Sequence, residues 1–308
     1  MRIYDLHCDV LYKMLLEPRL SFSDDKTLDV TYERLVEGGI GLQAFAIFLP
    51  EDRVPTFEMV EEAVHAFHTS ILSRPKMVFV KSREDLSRAE REGGIGALLT
   101  LEGAEGLMGS LEYLQRAYDL GVRCLGLTWN YANWAADGVL EERRAGLTLK
   151  GRELVARCDE IGMIIDISHL NEPGFWEVLE FGKRPVIASH SNAAAVTGHP
   201  RNLSDEQIQA VIVRGGCIGI TFVPDFIGGG QGIADVLKHL DHVCSLGGED
   251  HVGFGSDFDG IDEYLHGLTH PGQYVKLTEA LHKHYSSEQV EKFLHQNWRR
   301  FLEANLPE

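Results

Sequence analysis

The chain has 308 residues, 44% hydrophobic and 25% charged, which is an ordinary globular composition and excludes a disordered tail protein. Its 29 Lys and Arg against 47 Asp and Glu give a formal net charge of −18. Because no basic cluster interrupts this acidic balance, we expect no nucleic-acid partner and no membrane-surface partner. The negative charge instead favours binding of a cation.

Apolar, β-branched runs alternate along the chain with segments of helical period, which is the pattern of parallel βα units. A further short run at 77–80 is predicted to be an added strand or a packing segment. The eight predicted strands are 3–7, 41–48, 96–101, 124–128, 163–168, 185–189, 217–222 and 252–256. The predicted helices include 57–72, 111–118, 148–161, 172–179, 205–213 and 233–244, and residues 274–302 are predicted to form closing helices.

Eight strands with intervening helices in about 260 residues predict an α/β fold, a (β/α)8 barrel of the TIM type. The alternative is a doubly wound open sheet. No G-x-G-x-x-G motif follows the first strand and the sequence has no P-loop, so the nucleotide-binding versions of that sheet have no support. Without a disordered linker or an internal repeat, residues 1–308 are predicted to form one domain.

The sequence gives no sign of export or of a membrane anchor. The N-terminus has no apolar run of signal-peptide length, and the C-terminal FLEANLPE has no hydrophobic tail for a GPI anchor. We therefore expect a soluble cytoplasmic protein. Five cysteines at scattered spacings, without a C-x-x-C motif, predict reduced thiols in the core, and only Cys8 is worth naming as an alternative nucleophile.

Polar residues stand at the ends of the predicted strands. In a parallel barrel the carboxyl ends of all strands meet on one face, so these side chains are expected to converge there. Carboxylates brought together at low dielectric raise one another's pKa and need cations to neutralise them, which predicts a metal site at this face. The residues at these strand ends are His7, Asp9, Glu102, His169, His190 and Asp257.

Zinc suits this set because it accepts both nitrogen and oxygen ligands. In the H-x-D pattern, His7 and Asp9 can hold one ion together, and Glu102 has a second oxygen with which to bridge to another ion. Paired ions lie roughly 3.5 to 4 Å apart and share a water whose pKa falls to about 7. Asp166 lies an odd number of positions before His169, so it is expected to face away from the ions and to be structural.

These motifs together resemble the membrane (renal) dipeptidase family of zinc metallopeptidases, in the amidohydrolase superfamily. The resemblance rests on D-x-H-x-D at 5–9, L-E-G at 101–103, D-I-S-H-L at 166–170, VIASHSNAAAVTGHPRNLSDEQ at 186–207 and GFGSDFDG at 253–260. It covers most of the chain. It implies a barrel with two Zn²⁺ per chain, a dipeptide substrate and a homodimer, and it marks the chain as similar to bacterial cytoplasmic members.

The resemblance also assigns roles to individual residues. His7, Asp9 and Glu102 match the ligands of one metal, and Glu102 bridges to the second. His169 and His190 match the ligands of that second metal. Asp257 matches the catalytic carboxylate, and Arg201 matches the arginine that binds substrate, which the resemblance implies is through the substrate's terminal carboxylate. Asp259, two residues beyond Asp257, is an alternative proton carrier.

The chain departs from the family after the fourth predicted strand. The best-known members read L-T-H there, with a histidine thought to contact the scissile carbonyl, but this chain reads L-T-W with Trp129. Indole donates one hydrogen bond and does not titrate, so that contact is weakened, is replaced by a metal, or is supplied by Asn130 or Asn133. Alternatively, Trp129 only forms part of the pocket wall. Trp129 and Asn130 are both predicted to contact substrate.

The resemblance therefore predicts a dipeptidase in which a metal-bridging hydroxide attacks the peptide carbonyl and Asp257 carries the proton. L,D-dipeptides are expected among its substrates. A related amidohydrolase that acts on another amide or a lactam is the first alternative. A metal-bound binding protein without catalytic activity is the second.

Overall fold

The structure is a computed structural model that describes residues 2–50, 52–230 and 232–308. Eight parallel strands close into a ring in the order β1, β2, β4, β5, β6, β7, β8, β9 and back to β1. The additional strand β3 pairs only with the start of β4, outside this ring, among the described residues. The strands are β1 Ile3–Asp5, β2 Ile40–Ile47, β3 Met77–Phe79, β4 Ile95–Glu102, β5 Val122–Gly126, β6 Ile164–Asp166, β7 Ile187–Ala188, β8 Cys217–Ile220 and β9 Val252–Phe254.

The α/β barrel prediction is thus confirmed, and all eight predicted strands are present, with the run at 77–80 as an added strand. The helices are α1 Val10–Leu16, α2 Tyr32–Glu37, α3 Phe57–Ala66, α4 Arg83–Arg91, α5 Leu111–Asp119, α6 Leu149–Ile161, α7 Glu172–Phe181, α8 Asp205–Val213, α9 Pro224–Ile227, α10 Ile233–Val243, α11 Tyr274–His284, α12 Ser287–Glu291 and α13 Asn297–Asn305. The predicted helices are present, whereas α1, α2, α4 and α9 were not predicted. These four are short or too polar to show a clear apolar period.

Side chains alternate between the two faces of each strand and so supply two separate cores. One set packs outward against the helices. The other, which includes Tyr4, Leu42 and Leu98, fills the barrel together with Trp298 and Phe301 of α13. Because α13 packs against this interior cluster, the barrel is filled at that position by side chains and is not a pore.

Two other sequence predictions concern the thiols and the membrane. All five cysteines are free, and all but Cys244 are buried, as predicted for reduced core thiols. Among the described residues, no helix is both long enough and apolar enough to cross a bilayer.

Candidate metal centre

The predicted ligands come together at the C-terminal ends of the barrel strands. Glu102 is the last residue of β4, and the other ligands follow their strands within one turn. They are His7 and Asp9 after β1, His169 after β6, and His190 after β7, with Asp257 after β9. Residues far apart in the sequence thus share one site because the parallel strands all end on the same face.

Glu102 stands between two groups of histidines. Its Oε1 lies 2.9 Å from His169 Nε2 and 3.5 Å from His190 Nε2. Its other oxygen, Oε2, lies 3.6 Å from His7 Nε2. One carboxylate therefore offers one oxygen to each group, which is the arrangement that a bridging ligand requires.

The two histidines on the Oε1 side face each other directly. His169 Nε2 and His190 Nε2 are 2.8 Å apart, and both rings are buried. The opposite nitrogen of each ring is engaged, since His169 Nδ1 contacts Asn130 Oδ1 at 2.8 Å and His190 Nδ1 contacts Ser189 Oγ at 2.7 Å. These contacts leave both Nε2 atoms free to face each other, and in metal sites a hydrogen bond to the opposite ring nitrogen orients a ligating histidine in the same way.

The second group is built around His7. Its Nε2 lies 3.2 Å from Asp9 Oδ2 and 3.7 Å from Asp257 Oδ1. Gly260 closes this group, because a Cβ there would lie 2.3 Å from Asp9 Oδ2 and 2.7 Å from Asp257 Oδ1. The missing side chain of Gly260 therefore gives the two carboxylates room to approach.

Burial and mutual repulsion shape the acidity of these carboxyls. Burial raises the pKa of Asp257 to about 8; the nearby His7 acts to lower it, and the charges of Asp9 and Glu102 act to raise it. Burial also acts to raise the pKa of Glu102, but the neighbouring imidazoles lower it to about 2. The two carboxyls thus differ in acidity, since the pKa of Glu102 is lowered and that of Asp257 is raised.

The histidines of the Oε1 side are held neutral. Burial lowers the pKa of His169 to about 4 and that of His190 well below its ordinary value, and the Arg201 guanidinium acts in the same direction. Neutral imidazole is the form that binds a metal ion, so no proton has to be displaced before binding.

Buried atoms without partners show that these residues fit metal ions. His7 Nε2 and Asp9 Oδ1 are buried and have no hydrogen-bond partner among the described residues. Leaving such atoms unpaired costs about 1–3 kcal/mol each, and a cation removes that cost. Two sets of ligand atoms lie within 4.8 Å of one another, one of His7, Glu102 and His190 and one of His7, Asp9 and Asp257. Imidazole nitrogens with carboxylate oxygens are a donor set that suits zinc.

Two buried aspartates connect neighbouring strand ends beneath the ligands. Asp5 Oδ1 accepts hydrogen bonds from the backbone N–H groups of His7 and Ser256. Asp166 Oδ1 does the same with Ser168 and Ser189. Each carboxylate therefore joins the residue two positions on to the adjacent strand end. A structural role is expected for Asp166, and Asp5 has the same role, which its place at the start of the D-x-H-x-D motif does not reveal.

Arg201 is a buried cation at the edge of the centre. Its side chain lies over the ring of Phe226 at 5.3 Å, and its Nη2 donates to the carbonyl oxygen of His190 at 3.3 Å. Its Nε has no hydrogen-bond partner, and no carboxylate forms an ion pair with it, among the described residues. Arg201 also lines a cavity of about 440 Å³ together with His169.

Trp129 lies on the other side of Glu102. Its ring is 5.4 Å from that of Phe48 and 6.1 Å from those of Tyr131 and His169. Trp129, Phe48, Tyr131 and Glu102 line a second cavity, of about 200 Å³. The metal centre thus adjoins a cavity that contains Arg201 and a second cavity with an aromatic wall.

The side chains of Asn130 and Asp259 have surroundings that the sequence did not reveal. Asn130, predicted to contact substrate, holds His169 through its side-chain oxygen. Asp259, the alternative proton carrier, is buried and accepts from the backbone N–H groups of Asp29 and Val30. No local pattern signals these partners, because they come from loops distant in the sequence.

Comparisons with known proteins agree with this geometry. The model of the family described as membrane dipeptidase (peptidase family M19) matches residues 1–306. A curated relative, the dipeptidase tcpJ of Claviceps purpurea (strain 20.1), is 31% identical over 313 residues, which cover 94% of this chain and 72% of that protein.

Solved structures of similar proteins extend the comparison to the whole fold. A dipeptidase described as a metallopeptidase of family M19 superposes with a TM-score of 0.92 at 29% identity, covering 100% of this chain and 99% of the other. A metallopeptidase from Rhodobacter sphaeroides, liganded with a phosphinate mimic of the dipeptide L-Ala-D-Ala, gives a TM-score of 0.90 at 29% identity and 99% coverage of both chains.

Proposed function

The chain belongs to the membrane dipeptidase family, peptidase family M19, and is a metallo-dipeptidase, and from this premise we propose that it hydrolyses dipeptides with two zinc ions. In this proposal His7, Asp9 and Glu102 hold one ion, and Glu102, His169 and His190 hold the other. Residues 1–308 act as one catalytic domain.

The observation that carries the proposal is the position of Glu102. Its two oxygens face different histidines, at 3.6 Å from His7 Nε2 and 2.9 Å from His169 Nε2. A site for a single ion needs only one of these oxygens, so this arrangement supports two ions. When bound, such ions supply Lewis-acid activation of the peptide carbonyl and of a water molecule.

Asp257 carries the proton in this proposal. Its Oδ1 lies beside His7, and burial raises its pKa to about 8, so the carboxyl both takes up and releases a proton near pH 7. It would accept the proton of the attacking water and deliver it to the leaving amine. Its backbone has φ 70°, a left-handed conformation that aspartate adopts more readily than most residues other than glycine.

Arg201 binds the terminal carboxylate of the substrate. A buried guanidinium without an ion-pair partner among the described residues is a receptor for a planar anion, and its fork matches a carboxylate. Fixing the carboxylate there leaves room for one residue beyond the scissile bond, so tripeptides are excluded. Trp129 contacts the N-terminal residue of the substrate from the aromatic cavity. Asn130 follows it in the chain and contributes by holding the His169 ring.

We also propose that L,D-dipeptides are substrates. Recognition of the C-terminal residue through charge sets a weak requirement on the configuration of its Cα. The solved Rhodobacter sphaeroides relative holds a mimic of L-Ala-D-Ala, which supports the same tolerance here.

The test is hydrolysis of L-Ala-L-Ala, L-Ala-D-Ala and L-Ala-L-Ala-L-Ala by protein stripped with a chelator and titrated with zinc. Cleavage of the dipeptides alone, with activity saturating near two zinc ions per chain, is the expected result. Binding of two ions without turnover of any peptide would mean that the substrate is another amide or a lactam.

A homodimer and a cytoplasmic location remain predictions from the sequence. Light scattering coupled to size-exclusion chromatography measures the mass in solution, and a mass of one chain would contradict the dimer.

A further inference from the structure

The cavity beside Arg201 is larger and more positively charged than the binding of one carboxylate requires. It has a volume of about 440 Å³ and is lined in part by His169, so it adjoins the metal centre. Among the residues that line it are two arginines, Arg144 and Arg201, and a single carboxylate, Glu172, which is exposed. Its charge therefore favours an anion beyond the one already assigned to Arg201.

Two buried donors in this wall have no acceptor. Asn171 is 2% exposed, and its Nδ2 has no hydrogen-bond partner among the described residues, just as Arg201 Nε has none. The Oδ1 of Asn171 is occupied, since it caps α7 by accepting from Gly174 N–H at 2.9 Å. An unpaired buried donor costs free energy, so a ligand with acceptor atoms at these two positions would be stabilised.

The loop that contains Arg144 is hydrogen-bonded to the segment that contains Asn171. Val139 N–H donates to the His169 carbonyl at 2.8 Å, and Asn171 N–H donates to the Asp137 carbonyl at 3.3 Å. Asp137 in turn accepts from Ala145 N–H at 2.7 Å. Arg144 is therefore held next to the cavity by its neighbours, although its own side chain is exposed and makes no ion pair among the described residues.

His199 adds a neutral donor to the same wall. Its Nδ1 accepts from the backbone N–H of Arg201 at 3.2 Å, so the proton of the neutral ring is on Nε2. Burial and the Arg201 charge lower its pKa, and its ring stacks on Phe226 with centroids 4.4 Å apart. Helices α7 and α8 both begin at this cavity. Their dipoles therefore favour a negatively charged group inside it.

We propose that this cavity selects dipeptides whose C-terminal residue has an acidic side chain, aspartate or glutamate. The inference rests on the proposed function, in which Arg201 takes the α-carboxylate. The side-chain carboxylate then lies between Asn171 Nδ2 and Arg144. A C-terminal alanine would leave the Asn171 donor and the Arg144 charge without a partner, whereas an acidic side chain satisfies both.

The experiment compares kcat/KM of the zinc-loaded protein for L-Ala-L-Asp and L-Ala-L-Glu with the values for L-Ala-L-Asn and L-Ala-L-Gln. Each pair is nearly equal in size and differs in charge, so the ratio isolates recognition of the carboxylate. We expect the acidic peptide to be favoured about tenfold or more, because only the carboxylate brings a negative charge to Arg144 and Arg201, whereas an amide oxygen also accepts from Asn171 Nδ2. The same ratio is measured for the L,D peptides.

Two variants assign the preference to this cavity. Arg144 has φ 48°, so Arg144→Asn removes the charge while keeping a residue that tolerates the left-handed backbone. Asn171→Asp keeps the oxygen that caps α7 but replaces the free donor with a negative charge. We expect the acid-to-amide ratio to fall about three- to tenfold in the first variant, since the side chain is exposed, and further in the second.

Lys183→Asn is the matched control because it removes one exposed positive charge beyond the other end of α7, away from the cavity. It should leave the ratio unchanged. If L-Ala-L-Ala is cleaved but acidic peptides are no better than their amides, the inference is wrong and the proposed function stands. A preference that survives both cavity variants also overturns it. If no dipeptide is cleaved, both are wrong.

Discussion

Asp257 and Asp259 leave the same strand end with nearly the same left-handed backbone, φ 70° and 69°, yet their carboxylates have opposite surroundings. Asp257 Oδ1 faces the metal centre, 3.7 Å from His7 Nε2. Asp259 Oδ1 forms an ion pair with Lys13 Nζ at 2.9 Å, and its carboxylate accepts from the backbone of a distant loop. Their positions therefore predict separate effects on activity and on stability.

Asp257→Asn should lower kcat about 10²- to 10⁴-fold, because an amide does not accept the proton of the attacking water. The zinc content, measured by mass spectrometry of the metal, should stay at the wild-type value. Loss of zinc from this variant would instead identify Asp257 as a ligand.

Asp259→Asn is the matched comparison. It should lower the free energy of unfolding by about 1–3 kcal/mol, since it weakens a buried ion pair and leaves a backbone N–H without an acceptor. Urea denaturation measures this loss, and kcat should change by less than about tenfold. A variant as inactive as Asp257→Asn with unchanged stability would contradict the assignment.

Removal of metal should destabilise the protein. The buried carboxylates repel one another without cations, and an ion present at 1,000 times its Kd contributes about 4 kcal/mol. Thermal unfolding with and without zinc, after treatment with a chelator, measures the effect. In Glu102→Gln the unfolding temperature should respond little to zinc, because the bridging anion is gone. An equal response in both proteins would show that zinc binds elsewhere.

Asn130→Ala should weaken zinc binding about 10- to 100-fold, as the loss of a contact that orients a ligating histidine typically does. The reason is that Asn130 Oδ1 holds His169 Nδ1 at 2.8 Å. Competition with a chromogenic chelator measures the affinity.

Asn133→Ala is the control for Asn130→Ala. Asn133 donates to Glu105 Oε1 and to the Leu127 carbonyl, and within residues 2–50, 52–230 and 232–308 its side chain forms no hydrogen bond with a predicted ligand histidine. This variant should lose stability while it keeps its affinity for zinc. Equal zinc affinity in the two variants would rule out the proposed role of Asn130.

Trp129→Ala should lower kcat/KM for L-Leu-L-Ala about tenfold while changing that for Gly-L-Ala much less. The aromatic cavity that Trp129 lines is about 200 Å³, and burial of a leucine side chain contributes roughly 1.5–3 kcal/mol. Steady-state kinetics on the two peptides gives the comparison. Parallel losses on both peptides would mean that Trp129 acts on the reacting carbonyl instead.

The hydrogen bonds that Glu90 accepts from Arg299 and Tyr4 are expected to be sensitive to acid. Burial opposes its ionisation, but hydrogen bonds from Arg299 and Tyr4 lower its pKa below the ordinary value. Since the folded pKa is the lower one, this contribution is present above the unfolded pKa of about 4.3 and is lost as the pH falls through the folded pKa.

Glu90→Gln should therefore reduce stability at pH 7 by at most about 1 kcal/mol, because the pair is partly exposed and screened. The difference between the variant and the wild type should shrink below pH 4. Urea denaturation as a function of pH measures it, and a difference that is constant with pH would refute this origin.

The barrel, and the meeting of polar side chains at one end of it, could be predicted from the amino-acid sequence alone. Buried strands have a short apolar signature, and a parallel barrel brings every strand end to one face, so His7, Glu102 and His190 were expected to meet before any distance was known. The resemblance to a family added roles for Asp257 and Arg201. These inferences depend only on local pattern and on topology.

Which atoms face one another in the site depends on contacts between distant segments, and the sequence did not reveal it. The division of Glu102 between two histidine groups, the engagement of Asp259 by Asp29 and the free Nδ2 of Asn171 all depend on loops that meet from distant parts of the chain. Side-chain direction in loops follows from such contacts and not from a repeating period, so no sequence pattern encodes it. For the same reason, the position of Arg144 in the wall of the cavity beside the metal centre could not be predicted.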